Sequence, residues 1–401
     1  MWDVAVVGGG PAGLIAARDI ARAGYGVVVL EEHQEIGYPV KCSGLFSLSG
    51  LAALEIEPGA GVVRSVIKGG RFYSPAGKEL LAYSDLARAV VVERKAFDKE
   101  LGRAAARAGA EIRLKTSVLG LEVGECVSIR TEGLYGPEVL EARLVVGADG
   151  MRSNVARRLG LKTPRRVVAA AQVEVEAAEV EEDIAEVYFG SRYAPGFYAW
   201  ILPKGDLYEV GVGVRAGSRG GPREHLLRFM REHPIASKKV KGRSILEMNL
   251  GGFPVDLPQD KTAGDRVVIV GDAAGHTKAS TGGGVITGGI GARIAAKACV
   301  RALEAGDFSR AFLEREYEAR WREEIGYELQ AHVLLRRILD SLGDEGLEEV
   351  FQLAVDERLA EIMVRYRDTD RPSDFLREVS KRPKLMEALQ KFLNPEELLI
   401  P

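Results

Sequence analysis

The segment Gly8-Gly9-Gly10-Pro11-Ala12-Gly13 has the residue types and spacing to hold a dinucleotide. In a G-x-G-x-x-G turn between strand and helix, Gly8 serves the tight turn. Gly10 lets the backbone approach a pyrophosphate, and Gly13 lets the helix sit close to the sheet. The N–H groups of the helix start, around Ala12, face the phosphates with the helix dipole aiding them. Glu31 closes the next apolar run and is placed to accept hydrogen bonds from the adenosine ribose hydroxyls. Much later, Gly271-Asp272-Ala273-Ala274-Gly275 leads through Thr281-Gly282-Gly283-Gly284-Val285 towards a small-residue helix. An Asp in such a turn can bind the ribityl chain of a flavin. Backbone N–H groups at Gly284 and Val285 can hold negative charge near the flavin N1–C2 carbonyl. Gly147-Ala148-Asp149-Gly150 is a third strand-to-turn junction. One such turn is ordinary; the three in this order point to FAD over NAD.

The elements that must position these residues follow from the apolar runs. Asp3 to Val7 read as a buried strand, Leu14 to Ala23 as an Ala-rich helix, and Val27 to Leu30 as a second strand. Residues 32–70 read as a loop with short helices around Cys42. Lys68 to Tyr83 read as a hairpin, Val90 to Arg94 as a strand end, and Lys95 to Gly109 as a helix. Glu111 to Leu121 pairs into the first sheet, and residues 166–176, 184–189 and 197–215 alternate as strands of a second one. Beyond about residue 310 the chain is Leu-, Glu- and Arg-rich with helical spacing. The implied division is a discontinuous cofactor domain (1–70, 90–165 and 255–310), a substrate domain (71–89 and 166–254) and a helical region (311–401).

Composition removes several classes of function. With 401 residues the chain exceeds one compact core, and its net charge of −3 argues for neither nucleic acid nor a polybasic membrane patch. Cys42, Cys126 and Cys299 are isolated, which suggests neither a zinc site nor an iron–sulfur cluster. No apolar run approaches the roughly eighteen residues of a membrane span, and the chain opens directly on a strand. The expectation is a cytoplasmic protein whose membrane contact, if any, is peripheral. His276 follows the Gly-Asp turn without a clear catalytic role, and His33, His225, His233 and His332 form no ligand set.

Two further motifs carry a resemblance. Pro39-Val40-Lys41-Cys42-Ser43-Gly44 follows soon after Glu31. Pro195-Gly196-Phe197-Tyr198-Ala199-Trp200-Ile201-Leu202-Pro203 precedes Gly211-Val212-Gly213. Together with the glycine turns, they make the chain similar to FAD-dependent oxidoreductases of the p-hydroxybenzoate hydroxylase-like fold, and among them the geranylgeranyl reductases, over residues 1 to about 320. Leu202 departs from the family's usual Phe.

The resemblance implies an α/β chain. A Rossmann-like FAD-binding domain of the p-hydroxybenzoate hydroxylase and glutathione reductase type would carry an inserted, mostly antiparallel β-sheet substrate domain and a C-terminal helical extension. It implies hydride transfer from reduced flavin N5 to C=C bonds of geranylgeranyl chains on archaeal-type ether lipids. It assigns Arg94 and the Val118 backbone to FAD, the latter at the adenine, and brings Cys42 and Ser43 near the isoalloxazine. There Cys42 would position the flavin or deliver a proton, with Lys41 favouring a thiolate if it points inward. Tyr198 and Trp200, two apart on a strand ended by Pro203, share a face and would line the lipid slot; packing as ordinary core is the competing reading. The donor is external: ferredoxin, a deazaflavin or NAD(P)H. A flavin monooxygenase and a quinone-coupled electron-transfer flavoprotein are the alternative activities on this fold.

Overall fold

The computed structural model describes the chain except residues 159, 162–163, 177–179, 241, 367 and 393–401. The chain divides into two compact units. The first comprises Met1–Pro39, Lys95–Arg165 and Pro254–Leu329; the second comprises Val40–Arg94, Arg166–Phe253 and Gln330–Pro401.

In the first unit, the β-branched runs without polar interruption become buried parallel strands, as a sheet covered on both faces demands. Trp2–Val7 lies at the centre, flanked by Val27–Leu30 on one side and Gly136–Gly147 on the other. Glu111–Arg113 and Val267–Ile269 extend the parallel order outward. The antiparallel strands Ser117–Val123 and Val127–Gly133 are built onto the long strand Gly136–Gly147. The single run read from Glu111 to Leu121 is thus two strands. Lys115 between them adopts a left-handed φ of 48°, which breaks the extended chain. Helix Pro11–Arg22 and the 21-residue helix Val285–Ala305 follow their glycine turns, and their small residues allow close packing. The helical pattern beyond residue 310 opens with the turn Arg310–Leu313 and passes through two π-helical stretches, Glu314–Glu318 and Arg322–Gly326. The fully buried Tyr317 and Trp321 anchor this region: Tyr317 donates to the Ile269 carbonyl (2.5 Å) and Trp321 Nε1 to Thr262 Oγ1 (2.9 Å).

The second unit is built on a seven-stranded, mostly antiparallel sheet. Its order is Ile245–Pro254, Val167–Glu176, Leu207–Arg215, Ala199–Lys204, Ile184–Tyr188, Gly69–Tyr73, Glu79–Tyr83. Its parallel pair joins Ile184–Tyr188 to Gly69–Tyr73. A small sheet of Leu45–Ser47, Ala89–Val92 and Val63–Ile67 packs against the central strand Ala199–Lys204. Its outer strands fall within the stretch read as loop and short helices. That pairing draws residues 40–70 and 90–94 into this compact unit, so its boundary differs from the division drawn on the sequence. The C-terminal helices (Tyr327–Asp356, broken at Gly343, then Leu359–Arg365, Pro372–Val379 and Pro383–Phe392) also cluster here from Gln330 onward. They bury Leu342, Phe351, Ile362 and Leu385 with Phe72 and Leu80.

Candidate active site

The first unit carries a nucleotide cradle. Gly8 has φ +106°, a conformation that disfavours any side chain, and its N–H donates to the Leu30 carbonyl at 2.9 Å. A Cβ on Gly13 would collide with the Gly8 carbonyl, so the helix lies directly on the turn. Gly10, in contrast, caps the helix in ordinary extended geometry, and a Cβ there would meet nothing within 4 Å. Pro11 fills the first helical position, so the first-turn N–H groups of Ala12 and Gly13 are those left without intrahelical partners. A glycine facing open space beside N–H donors without intrahelical partners fits a pyrophosphate.

Glu31 is buried and tied to this turn. Its Oε2 accepts the Gly9 N–H at 2.6 Å, while Oε1 accepts the His33 N–H at 2.9 Å and lies 2.5 Å from His33 Nδ1. The carboxylate is thereby pre-aimed, with lone-pair capacity left for hydroxyl donors. On sequence Gly9 carried no role of its own within the glycine segment, and His33 was read only as one of the histidines that form no ligand set, although it stands two residues beyond Glu31.

The Asp272 turn packs against the same helix: a Cβ on Gly271 would sit 3.2 Å from Ala12 Cβ. Asp272 Oδ1 accepts the Thr277 hydroxyl at 2.6 Å, and a Cβ on Gly284 would lie 2.8 Å from that oxygen. Gly284 caps helix Val285–Ala305, whose first turn holds no acidic residue to compete for its N–H groups. Val118, half-buried, lies in strand Ser117–Val123. Asp149, in the third turn, works as a helix cap. It accepts the Ser153 hydroxyl at 2.6 Å and the N–H groups of Asn154 and Val155 at 2.7 and 3.1 Å. His276 is fully buried beside Trp321, with neither ring nitrogen hydrogen-bonded among the described residues; burial, seconded by Arg322, depresses its pKa to about 3. It is a neutral packing residue.

The second unit carries an aromatic cluster beside a buried charge cluster: Phe197 and Trp200 are buried, Trp200 packing in the core with Ile67, Val91 and Leu202, and Tyr198 is half-buried. Phe197 stacks on Tyr198 (centroids 4.1 Å apart), and Tyr198 meets Trp200 edge-on at 6.1 Å. Trp200 pairs across the ladder with Gly211, where a Cβ would overlap the indole. Gly213 likewise leaves room for the Phe197 ring. Gly211-Val212-Gly213 is therefore a seat for the Pro195–Pro203 segment. Pro203 is buried inside strand Ala199–Lys204, which runs one residue further than read on the sequence. Its ladder to Ile184–Tyr188 stops at Ile201, so one side of the strand tolerates the missing N–H there.

Behind Trp200, its Nε1 donates to Glu209 Oε1 at 3.4 Å. Burial lifts the Glu209 carboxyl to a pKa of about 7, with Lys204 and the indole opposing. Lys204, itself buried, pairs with Glu174 and with Glu93 (3.2 Å). Burial works against its charge, but Glu174, Glu209 and Glu93 prevail and hold its pKa high. Sequence reading missed this cluster; the signal was the charge at Glu174 and Glu209 within otherwise apolar strands. Arg94 is buried with its guanidinium 5.7 Å from the Phe46 ring. Cys42 and Ser43 are half-buried in the loop before strand Leu45–Ser47, and Lys41 is exposed.

Comparison with known proteins places this arrangement. Residues 1–297 match the family described as FAD binding domain. The digeranylgeranylglycerophospholipid reductase of Methanocaldococcus jannaschii is 35% identical over 98% of both chains. A second reductase of that name, from Methanothermobacter thermautotrophicus, is 37% identical over 88% of this chain and 91% of its own. The chain belongs to the digeranylgeranylglycerophospholipid reductase family. A solved structure of a geranylgeranyl bacteriochlorophyll reductase-like protein from Thermoplasma acidophilum superposes with a TM-score of 0.85, at 27% identity, over 98% of this chain and 99% of its own. The halogenase CndH shares the fold with a TM-score of 0.70 at 20% identity, covering 99% of this chain and 98% of its own. The α/β FAD-binding fold with its antiparallel second sheet and C-terminal helices is thus that of the family. Among the described residues, no acidic, His or Cys cluster suits a metal, and no helix is long and apolar enough to cross a membrane.

Proposed function

We propose that this chain is an FAD-dependent reductase that saturates the C=C bonds of geranylgeranyl chains in archaeal-type ether phospholipids. One observation carries the reading: near full-length identity to reductases named for that substrate. Tyr198, half-buried between Phe197 and Trp200, supports it, since an aromatic face suits a prenyl chain. Saturating an isolated alkene needs a hydride and a proton, and bound reduced FAD supplies the hydride.

The chain's own residues bind and orient. Backbone groups from Gly8 to Gly13, through Gly10 and Ala12, cradle the pyrophosphate, and Glu31 receives the ribose hydroxyls. The Val118 backbone meets the adenine, Asp272 takes the ribityl chain, and the helix start at Gly284 and Val285 holds negative charge at the flavin ring. Cys42, Ser43 and Arg94 are assigned to the flavin as well, with Cys42 positioning it or relaying the proton. Tyr198, Trp200 and Pro203 line the path of the lipid. An external donor (ferredoxin, a deazaflavin or NAD(P)H) supplies electrons, and a membrane-lipid substrate implies peripheral contact with the bilayer.

The test is anaerobic. Enzyme reduced with dithionite is mixed with a digeranylgeranyl phospholipid, and flavin absorbance and lipid mass are followed. Rapid reoxidation with gain of a hydrogen pair per bond is the expected result. Absence of reoxidation by the lipid, or oxygen transfer to an aromatic acceptor, overturns the reading.

A further inference from the structure

Helix Tyr327–Asp356 places His332 and Arg336 one turn apart on the same face, both buried. The Arg336 guanidinium lies 5.5 Å from the Phe197 ring centroid, and its charge acts on the Tyr198 phenol. The side chain is only 5% exposed. Its Nη2 donates to Asp340 Oδ1 at 2.6 Å, but the buried Nε and Nη1 have no hydrogen-bond partner among the described residues. Asp340 is shared, since Arg215 Nη2 lies 3.1 Å from the same oxygen. One carboxylate therefore faces two guanidinium groups, leaving the cluster with a net positive charge beside the first aromatic pair of the Pro195–Pro203 motif. Burial opposes the charge on Arg336, Asp340 supports it, and Arg215 opposes it again.

A buried guanidinium with two unsatisfied nitrogens is costly to maintain, and native interiors rarely leave such donors unmatched. The group that matches them is an oxyanion with several acceptor oxygens, for which arginine is the preferred partner. Alongside, the half-buried Tyr198, stacked on the buried Phe197, offers an apolar face. An anionic head continuing into a hydrocarbon chain satisfies both.

We propose that Arg336 anchors the phosphate ester of the substrate's headgroup, its Nε and Nη1 donating to the phosphate oxygens while the first prenyl unit lies on Tyr198. The assignment rests on the reductase reading above. Arg215 holds Asp340 in place, so that this carboxylate does not turn wholly to Arg336 and occupy its remaining donors.

The test compares two lipids with identical geranylgeranyl chains, digeranylgeranylglyceryl phosphate and the neutral digeranylgeranylglycerol, using the FAD-loaded enzyme. The wild type is expected to bind the phosphorylated lipid about tenfold or more tightly than the neutral one, with inorganic phosphate competing only against the former. Arg336→Met is expected to raise KM for the phosphorylated lipid about tenfold with kcat little changed, bringing the two KM values together, and Arg336→Lys to restore part of the difference. Should Arg336→Met not fold, the wild-type comparison and phosphate competition still decide. Equal binding of the two lipids by the wild type overturns the anchor. So does preserved discrimination in Arg336→Met, or a phosphate ion that binds without competing against the lipid. Failure of the reductase reading looks different: neither lipid then reoxidises the reduced wild type.

Discussion

The Trp200 indole lies against the bare α-carbon of Gly211, its partner across the strand pair: a Cβ there would come 2.6 Å from Nε1 and overlap the ring carbons beside it. The glycine is a steric requirement of the aromatic cluster. Gly211→Ala must tilt the indole away from Glu209 or push the strands apart, at a cost of about 1–3 kcal/mol. The expected result is a lower melting temperature, an altered near-UV circular dichroism spectrum and a fall in lipid reduction of about tenfold, with FAD still bound. An unchanged spectrum and turnover would show that the indole has other room.

Glu209 makes stability depend on pH. Its folded pKa of about 7 lies above the ordinary 4.5, so the folded protein binds more protons than the unfolded chain between those values. The contribution is fully present below pH 4.5 and is lost as pH rises through 7. Lys204, Glu174 and Arg94 act on the titrating group, and Glu93 pairs with Lys204. In Glu209→Gln this slope disappears. Relative to the variant, the wild type is expected to lose on the order of 3 kcal/mol between pH 4 and pH 8, read from urea unfolding in matched buffers. Parallel pH profiles for the two proteins would remove Glu209 as the cause.

His276 acts in the opposite direction. Burial holds its folded pKa at about 3 against the ordinary 6.5, so the stability tied to its neutral form is present above pH 6.5 and lost as pH falls towards 3. Because neither nitrogen has a partner among the described residues, an apolar side chain of similar size forfeits no hydrogen bond to them. His276→Leu is expected to gain about 2 kcal/mol over the wild type at pH 5 relative to pH 8. Melting curves at the two pH values check this, and an equal shift at both means that packing against Trp321, not protonation, is what changed.

Much of this fold was readable because it rests on local signals. Continuous β-branched runs gave the buried parallel strands, and the glycine turns that follow them marked the helix starts. Leu45–Ser47 and Val63–Ile67 were not readable. They are short and half-exposed, and become strands only by pairing with Ala89–Val92. Tyr198 and Trp200 were found by spacing, yet what fixes the indole, Gly211 below and Glu209 behind, comes from the next strand. The charge on Arg336 looked like one of many along a polar helix. Its burial depends on Phe197, more than a hundred residues earlier in the chain.

Two glycines of the opening turn separate folding from cofactor binding. A Cβ at Gly13 strikes the Gly8 carbonyl, so Gly13→Ala must shift the helix against the sheet and is expected to destabilise the apoprotein by about 1–3 kcal/mol. At Gly10 the backbone angles are open to any L-residue and a Cβ meets no protein atom within 4 Å. Gly10→Ala should therefore leave apoprotein stability within about 1 kcal/mol of wild type, the modest cost of changing a helix cap. Its methyl group nonetheless projects into the space assigned to the pyrophosphate, and the Kd for FAD is expected to rise about tenfold or more. Titrating both apoproteins with FAD, by quenching of flavin fluorescence, alongside their thermal unfolding, gives the two quantities independently. If Gly10→Ala bound FAD as tightly as the wild type, the phosphates would have to lie elsewhere, and the assignment of Ala12 and Glu31 to the cofactor would fall with it.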